Sequence, residues 1–370
     1  MKFNCNQQAL SKALNTVSKA VSSKTTLPVL KGILLEATAE GKLILTASDL
    51  EISIKKEIEA NVEEPGTVVV VSKLFSDIIR KLPNDSVYFE KYEDNSIIIK
   101  TSFSEFKVVC LPVEEFPKIG EREANMKKIS FDKELFKQMV SKTFFAASIE
   151  EAKGILTGIL TELSENNITM VSLDGFRLAL IKENLRNEEN IKFIILAKVM
   201  NEISKIVTDE DESEIIIYLG EKKAVFETGT TEVVLRLMEG EYINYKEIIP
   251  RDNTTKVIVN RELLLDSIER ASLLAKEGKN NLIKISLKND LLTITSSSEE
   301  GNVREELIIE KEGNDLDIGF NSKYIIDVLK AIDDECLSLN FKSGISPCVV
   351  NPVEGDKFEY LILPVRIPTM

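Results

Sequence analysis

A charged triplet recurs three times in this chain at intervals of 125 residues: a lysine, an acid four positions on, and a base three beyond that. The sets are Lys73, Asp77 and Arg80; Lys198, Glu202 and Lys205; Lys323, Asp327 and Lys330. Positions i, i+4 and i+7 share one stripe of an α-helix. The intervening apolar residues define the expected buried faces: Leu74, Ile78 and Leu82; Val199, Ile203 and Ile206; Tyr324, Val328 and Ile332. One amphipathic helix therefore recurs, each time with a basic-rich stripe facing outward. A repeat of this period makes the chain a tandem array of one unit.

Other landmarks keep the spacing. Each unit opens with a short strand, a polar N-cap and a helix: Phe3 to Cys5 then Asn6, Ile129 to Phe131 then Asp132, Val257 to Val259 then Asn260. Asn and Asp there accept hydrogen bonds from the unpaired N–H groups of the first turn. The first helix is expected to bury Leu10, Ala13, Leu14, Val17 and Val21. Its counterparts bury Leu135, Phe136, Met139 and Val140, then Leu264, Ile268, Ala271 and Leu274. GILLEATAEGKLILTASDLEISIKKEI predicts three strands, with a turn at Glu40-Gly41 and a bend near Ser48-Asp49, and Asp174 stands 125 residues after Asp49. Further strands are expected at Val87–Lys91, Ile97–Thr101 and Phe106–Leu111. The acidic segments around Glu115-Phe116-Pro117 and Glu241-Tyr242-Ile243 are expected to be linkers. The fold class is α+β: three tandem domains, 1–120, 127–247 and 254–370, each with two helices on antiparallel sheets.

Composition narrows the function. Hydrophobic residues at 43% and charged residues at 29% suit a globular protein with ordinary cores. No apolar run reaches a membrane span, no signal-peptide pattern opens the chain, and a cytoplasmic location is expected. Cys5, Cys110, Cys336 and Cys348 lack metal-ligand spacing and are expected to be reduced, mostly buried thiols. Histidine is absent, which removes the usual general base and the commonest metal ligand. No phosphate-binding loop, dinucleotide fingerprint or nucleophile elbow is present. Acids cluster in solvated runs such as Asp209 to Glu212. No catalytic residue, metal or cofactor is expected.

The net charge of −14 opposes nucleic-acid binding until its distribution is considered. The six helical windows (7–24, 72–82, 133–148, 197–207, 261–276, 322–331) carry +9 of the −14 total, which leaves −23 on everything else. A shared helical face would attract a polyanion that the remainder repels. Screening over roughly 8–10 Å lets the two surfaces act almost independently. Basic side chains on helices often only solvate an exposed face. Three equivalent stripes, however, suit sequence-blind contact with a nucleic-acid backbone.

Several segments match a known family in order and spacing: the opening MKF, TLPVLKGILLEA, LTASDLEISI, LPVEEFP, SLDGFRLAL, GFNSKYIIDVLKAI and the terminal YLILPVRI. Across nearly its whole length the chain resembles the bacterial DNA polymerase III beta subunit, the sliding clamp. That resemblance implies three copies of the DNA-clamp fold and a head-to-tail homodimer closing a six-domain ring. It implies no enzymatic activity. The partners implied are double-stranded DNA, the replicative polymerase, the clamp loader and repair proteins, the proteins docking through short peptides with a Gln and apolar anchors, in a nucleoid-associated setting. The partner pocket would use Leu156, Leu173, Gly175, Phe176, Arg177, Leu178, Ile243, Ile248, Ile345, Ile362, Leu363, Pro364, Val365 and Arg366. Leu173, Phe176, Ile243 and Val365 depart from the Thr, His, Pro and Met common in the family and make the pocket more apolar. DNA would meet Lys12, Lys24, Lys73, Arg80, Lys81, Lys198 and Lys205. The dimer contact would join Ile78, Leu82, Phe106 and Val108 to Leu273 and Leu274. The tail Pro368-Thr369-Met370 extends past the usual end, towards the pocket rim. A three-domain protein-binding scaffold that never encircles DNA is the alternative that the repeat alone allows.

Overall fold

The polar residue expected ahead of each opening helix does cap it. The computed structural model describes every residue except 23–24, 93, 121, 188–189, 208–213 and 368–370, together with the side chain of residue 279. Its helices are α1 (Gln7–Val17), α2 (Ser72–Lys81), α3 (Lys133–Ser141), α4 (Ala197–Ile206), α5 (Tyr245–Ile248), α6 (Arg261–Ala275) and α7 (Ser322–Ala331). The Asn6 carboxamide oxygen accepts from the N–H groups of Gln8 and Ala9, both at 3.0 Å. Asp132 accepts from Leu135 N–H at 2.9 Å, and Asn260 from Leu263 N–H at 3.1 Å. Each cap satisfies donors that the first turn leaves open.

The first repeat runs strand, helix, three strands, then strand, helix, three strands, with one extra short strand, Asn61–Glu64, between the halves. The third repeat follows the same order, its extra strand being Glu310–Gly313. The three strands expected from the GILLEA segment form at Gly32–Ala37, Lys42–Ser48 and Ile52–Glu59. Close approaches recur too. A Cβ on Gly32 would meet Val69 Cγ1 at 2.6 Å, and one on Gly158 would meet Ile194 Cγ2 at 2.5 Å. Glycine is needed at both places because strand and neighbour leave no room for a side chain.

The buried helix faces follow the expected pattern with one correction. Leu10, Ala13, Leu14 and Val17 are buried on α1, as are Leu264, Ile268 and Ala271 on α6, while Val21, Leu135 and Leu274 are half-buried. On α2 the inward residues are Phe75 and Ile79; Leu74 is exposed and Ile78 half-exposed. Apolar residues at 74, 75, 78, 79 and 82 span a wide arc. The aromatic ring of Phe75, tilted against Phe89 at 6.1 Å, decides which edge of that arc turns in. Two predicted windows were too long: α1 gives way to a 3₁₀ turn at Ser18–Ala20, and α3 ends at Ser141.

The chain gathers into two compact units, Met1–Phe136 with Glu202–Leu237 and Lys137–Asn201 with Met238–Met370. The first holds a five-stranded and an eight-stranded antiparallel sheet, the second a nine-stranded and a four-stranded one. In the eight-stranded sheet, Ile52–Glu59 pairs with Thr231–Arg236, from Thr231 opposite Lys56 to Leu235 opposite Ile52. In the nine-stranded sheet, Arg177–Asn184 pairs with Phe358–Ile362, from Arg177 opposite Ile362 to Ile181 opposite Phe358. Both ladders join the fourth strand of one repeat to the last strand of the next. This explains why residues 202–237 of the second repeat belong with the first.

The expected linkers are keyed into apolar clusters. Phe116 is buried with Val29, Leu30 and Val69, and Tyr242 with Leu160, Ile194 and Leu361. Cys5, Cys110 and Cys348 are buried and Cys336 half-buried. Burial pushes the Cys5 thiol up to about 12 and the Cys110 thiol up to about 11, far from the thiolate that alkylating agents attack. Alkylation of the native protein at pH 8, followed by mass spectrometry, should therefore modify Cys336 first and the other three only after unfolding.

Candidate partner-peptide site and DNA-facing helices

The residues expected to bind a partner peptide begin at a turn. Asp174 Oδ1 accepts from Phe176 N–H at 2.8 Å and Arg177 N–H at 3.0 Å, with Gly175 between them at φ +92°. The first repeat builds the same turn: Asp49 Oδ1 accepts from Glu51 N–H at 3.0 Å and Ile52 N–H at 2.9 Å. There Leu50 takes Gly175's place at φ +78°, a left-handed conformation costing a side-chain-bearing residue about 1 kcal/mol.

Arg177 turns inward rather than into an open pocket. It is 9% exposed, and its guanidinium donates to Asp174 Oδ2 (3.1 Å), Asp327 Oδ2 (2.5 Å) and the Phe145 carbonyl (2.6 Å). It also lies 4.7 Å from the Tyr324 ring centroid and 5.3 Å from that of Phe145. A buried guanidinium persists only when its donors are met this fully. Its role is to fix the turn and tie it to α7. Phe176, carried beside it, is 52% exposed and stacks on Tyr324 with centroids 6.1 Å apart. Lys153 Nζ sits 5.3 Å from the Phe176 ring and donates to the Asp174 carbonyl at 3.2 Å.

Below the turn lies an apolar floor. Leu173 and Leu178 are buried in one cluster with Leu160, Val171, Ile194, Tyr242, Tyr245, Ile249, Val349 and Leu361, and Leu156 and Leu363 pack half-buried against it. Ile362 does not join them. Side chains alternate along a strand, so Leu361 faces this cluster while Ile362 points into the core between α6 and α7, beside Leu264, Ile268 and Leu329. The residue of this strand that joins the apolar cluster is therefore Leu361, one position from the expected Ile362. Ile243 and Ile248 are exposed on and before the short α5, which Tyr245 and Ile249 anchor in the cluster. Ile345 is 86% exposed on its loop; Pro364 and Val365 are half-buried and Arg366 is exposed.

Tyr242, Tyr245, Ile249 and Val349 of this cluster, and Tyr324 beside the turn, were not among the expected site residues, although the sequence places Tyr242 in a linker and Tyr324 on a helix face. Tyr242 hydroxyl donates to the Gly158 carbonyl at 3.3 Å and Tyr245 hydroxyl to Glu162 at 2.6 Å. Burial pushes both phenols up. Burial also pulls Glu162 upward, but the hydrogen bonds from Tyr245 and Lys192 outweigh it and hold that carboxyl below its usual range.

The DNA-facing candidates Lys12, Lys73, Arg80, Lys81, Lys198 and Lys205 are all exposed; Lys24 lies outside the described residues, as do the acidic run 208–213 and the tail 368–370. Within the repeated triplet, Arg80 bonds its own Asp77 at 2.5 Å and Lys205 its own Glu202 at 2.9 Å. The third copy breaks the pattern. Asp327 is taken by Arg177, and Lys330 reaches Glu269 on α6 at 2.7 Å. Lys19, half-buried beside Glu202 and Lys205, is a further cation on this side that the spacing did not flag. Burial lowers its ammonium, with Glu202 opposing the shift and Lys205 adding to it.

Of the expected dimer contacts, Phe106 and Leu273 (65%) are exposed, and Ile78 and Leu274 half-exposed. Val108 and Leu82 are buried within their own chain, Val108 on the core side of the strand Glu105–Val109 and Leu82 at the end of α2. Val109, 75% exposed, is the most exposed apolar residue there. Among the described residues no cluster of acids and thiols could hold a metal, and no helix is long and apolar enough to cross a membrane.

This repeat of capped helices on antiparallel sheets, joined strand to strand, defines a three-domain clamp fold. Models of the DNA polymerase III beta subunit match the chain throughout: the N-terminal domain over residues 1–120, the central domain over 130–244 and the C-terminal domain over 246–366. The beta sliding clamp of Staphylococcus epidermidis is 36% identical over 377 residues, covering 99% of each chain, and that of Staphylococcus aureus is 35% identical with the same coverage. The sliding clamp structure from Bacillus subtilis superposes with a TM-score of 0.95 at 32% identity, covering 100% of both chains. A putative beta subunit from Eubacterium rectale gives 0.94 at 34%, covering 99% of this chain and 100% of its own. The chain belongs to the DNA polymerase III beta subunit family. It is a sliding clamp, a processivity factor rather than an enzyme.

Replacing Arg177 with Met leaves Asp174 and Asp327 without their shared cation, so stability should fall by about 3 kcal/mol, read from the urea midpoint. Unchanged stability would show that the arginine does not lock the turn.

Proposed function

We propose that two copies of this chain close head to tail around duplex DNA and carry the replicative polymerase, the clamp loader and repair proteins through the pocket at the Asp174–Arg177 turn. The observation that carries the ring is the pairing rule. Two fourth strands, Ile52–Glu59 and Arg177–Asn184, each pair with the last strand of the following repeat. The remaining fourth strand, Gly301–Ile308, and the remaining last strand, Glu105–Val109, both lie at sheet edges among the described residues. An unpaired edge of that length invites a partner, and joining unlike ends by one operation closes a ring. Exposed Phe106, Val109, Leu273 and Ile308 supply apolar surface beside those edges, with Ile78 and Leu274 at its margin.

Lys12, Lys24, Lys73, Arg80, Lys81, Lys198 and Lys205 would face the DNA. Because Arg80 and Lys205 already bond acids of their own triplets, the attraction is weak, which suits sliding. Partner peptides would place their apolar anchors over Leu156, Leu173, Leu178, Leu361 and Leu363, each fully buried anchor contributing roughly 1.5–3 kcal/mol. Gly175 and Phe176 with Ile243, Ile248 and Ile345 would form the walls, and Pro364, Val365 and Arg366 the rim. Such a protein works in the cytoplasm on nucleoid DNA.

Topology tests the reading. Loaded by a clamp loader onto nicked circular DNA, the protein should remain bound through gel filtration at moderate salt and run off once the circle is cut. Equal retention on cut and uncut DNA would contradict encirclement.

A further inference from the structure

The C-terminal segment, which supplies Leu363 to Arg366 of the pocket, is held by few bonds. Leu363 N–H donates to the Phe176 carbonyl at 2.9 Å, and Val365 N–H to the Gly319 carbonyl at 2.8 Å. Gly319 lies in the strand Leu316–Asn321, between the core residues Ile318 and Phe320 and just ahead of α7. That strand pairs on one side with Leu282–Lys288 and is a sheet edge on the other among the described residues. The C-terminal segment runs against it. A Cβ on Gly319 would stand 2.6 Å from the Val365 carbonyl oxygen and 2.9 Å from Ile367 Cγ1. The first is a backbone atom and cannot swing away. No positive φ is recorded at Gly319, so glycine serves there for space and not for conformation.

A second glycine makes a matching approach. A Cβ on Gly344 would collide with the Asp317 carbonyl oxygen, two residues along the same strand. Gly344 precedes Ile345. One strand edge thus seats both the loop that carries Ile345 and the tail that carries Leu363 to Arg366, each through a missing side chain.

We infer that Gly319 is a positioning residue for partner capture: its bare backbone seats the C-terminal segment so that Leu363 and Val365 hold their places at the peptide pocket. The inference rests on the pocket reading above. A methyl group at 319 pushes Val365 outward, breaks its bond to the strand and moves that side of the pocket, although residue 319 is itself no part of the pocket.

The test uses the full chain and a fluorescein-labelled peptide carrying a glutamine followed by leucine and phenylalanine anchors. Gly319→Ala should weaken binding about tenfold and Gly319→Val should abolish it, with cooperative unfolding retained. In both variants the Val365 amide should lose its protection from hydrogen exchange, which a purely structural effect on the core would not single out. Equal peptide affinity in Gly319→Ala, or a Val365 amide still protected in Gly319→Val, overturns the inference and leaves the pocket reading standing. No saturable binding by the unsubstituted chain overturns both. The unsubstituted chain alone gives an independent check if either variant fails to fold. Its Val365 amide should exchange slowly and become slower when peptide saturates the site, and exchange indifferent to peptide would contradict the inference.

Discussion

Everything in this molecule depends on one backbone contact made repeatedly: the fourth strand of a repeat hydrogen-bonding along the last strand of the next. Each repeat alone leaves an open strand edge, and an open edge is satisfied only by another strand, a cover or water. Within the chain the contact is made twice, at Ile52–Glu59 with Thr231–Arg236 and at Arg177–Asn184 with Phe358–Ile362. Equivalent residues form an apolar cluster on each joined sheet: Val29, Leu30, Val69 and Phe116 on the first, Ile155, Leu156, Ile194 and Tyr242 on the second, where the cluster also reaches the ladder through Leu178 and Leu361. The aromatic residue in each comes from the connecting segment between repeats, and at the second joint Tyr242 shares one cluster with the ladder residues Leu178 and Leu361.

The two joints are built alike but differ in their floors. At the first, Ser48 and Ser53 flank the turn and their hydroxyls bond each other at 2.8 Å. At the second, Leu173 and Leu178 hold those places in the apolar cluster, and Arg177 replaces buried Ile52. Only the second joint combines an apolar floor, a glycine at the turn and an exposed aromatic ring. Arg177 also claims Asp327, the acid that in the other two repeats bonds the base of its own triplet. The Asp174–Arg177 turn and the helix of the third triplet are thus braced by one side chain.

Much of this was legible in the sequence because it is local and periodic. Three polar caps, the strands from Gly32 to Glu59 and the 125-residue spacing of Asp49 and Asp174 all follow from short-range pattern. The errors came where the answer depends on distant residues. A wide apolar arc on α2 did not reveal that Phe75 and Ile79, and not Leu74 and Ile78, turn inward. Which of Leu361 and Ile362 joins the apolar cluster below the turn is a question of strand phase, set by the pairing of Leu178 with Leu361 across 183 positions of sequence. That Arg177 is buried among Asp174, Phe145 and Asp327 was not legible either, because the last two lie far away in the chain.

A third joint between the edges Gly301–Ile308 and Glu105–Val109 would complete the pattern in a pair of chains, and amide hydrogen exchange across a concentration series tests it at residue level. If two chains complete the ladder, amides in both segments are protected in concentrated protein and lose protection together on dilution, in step with the fall in mass from two chains to one. Fast exchange in either segment, at concentrations where light scattering reports a dimer, would place the contact elsewhere and contradict the rule that repeats join by these strands.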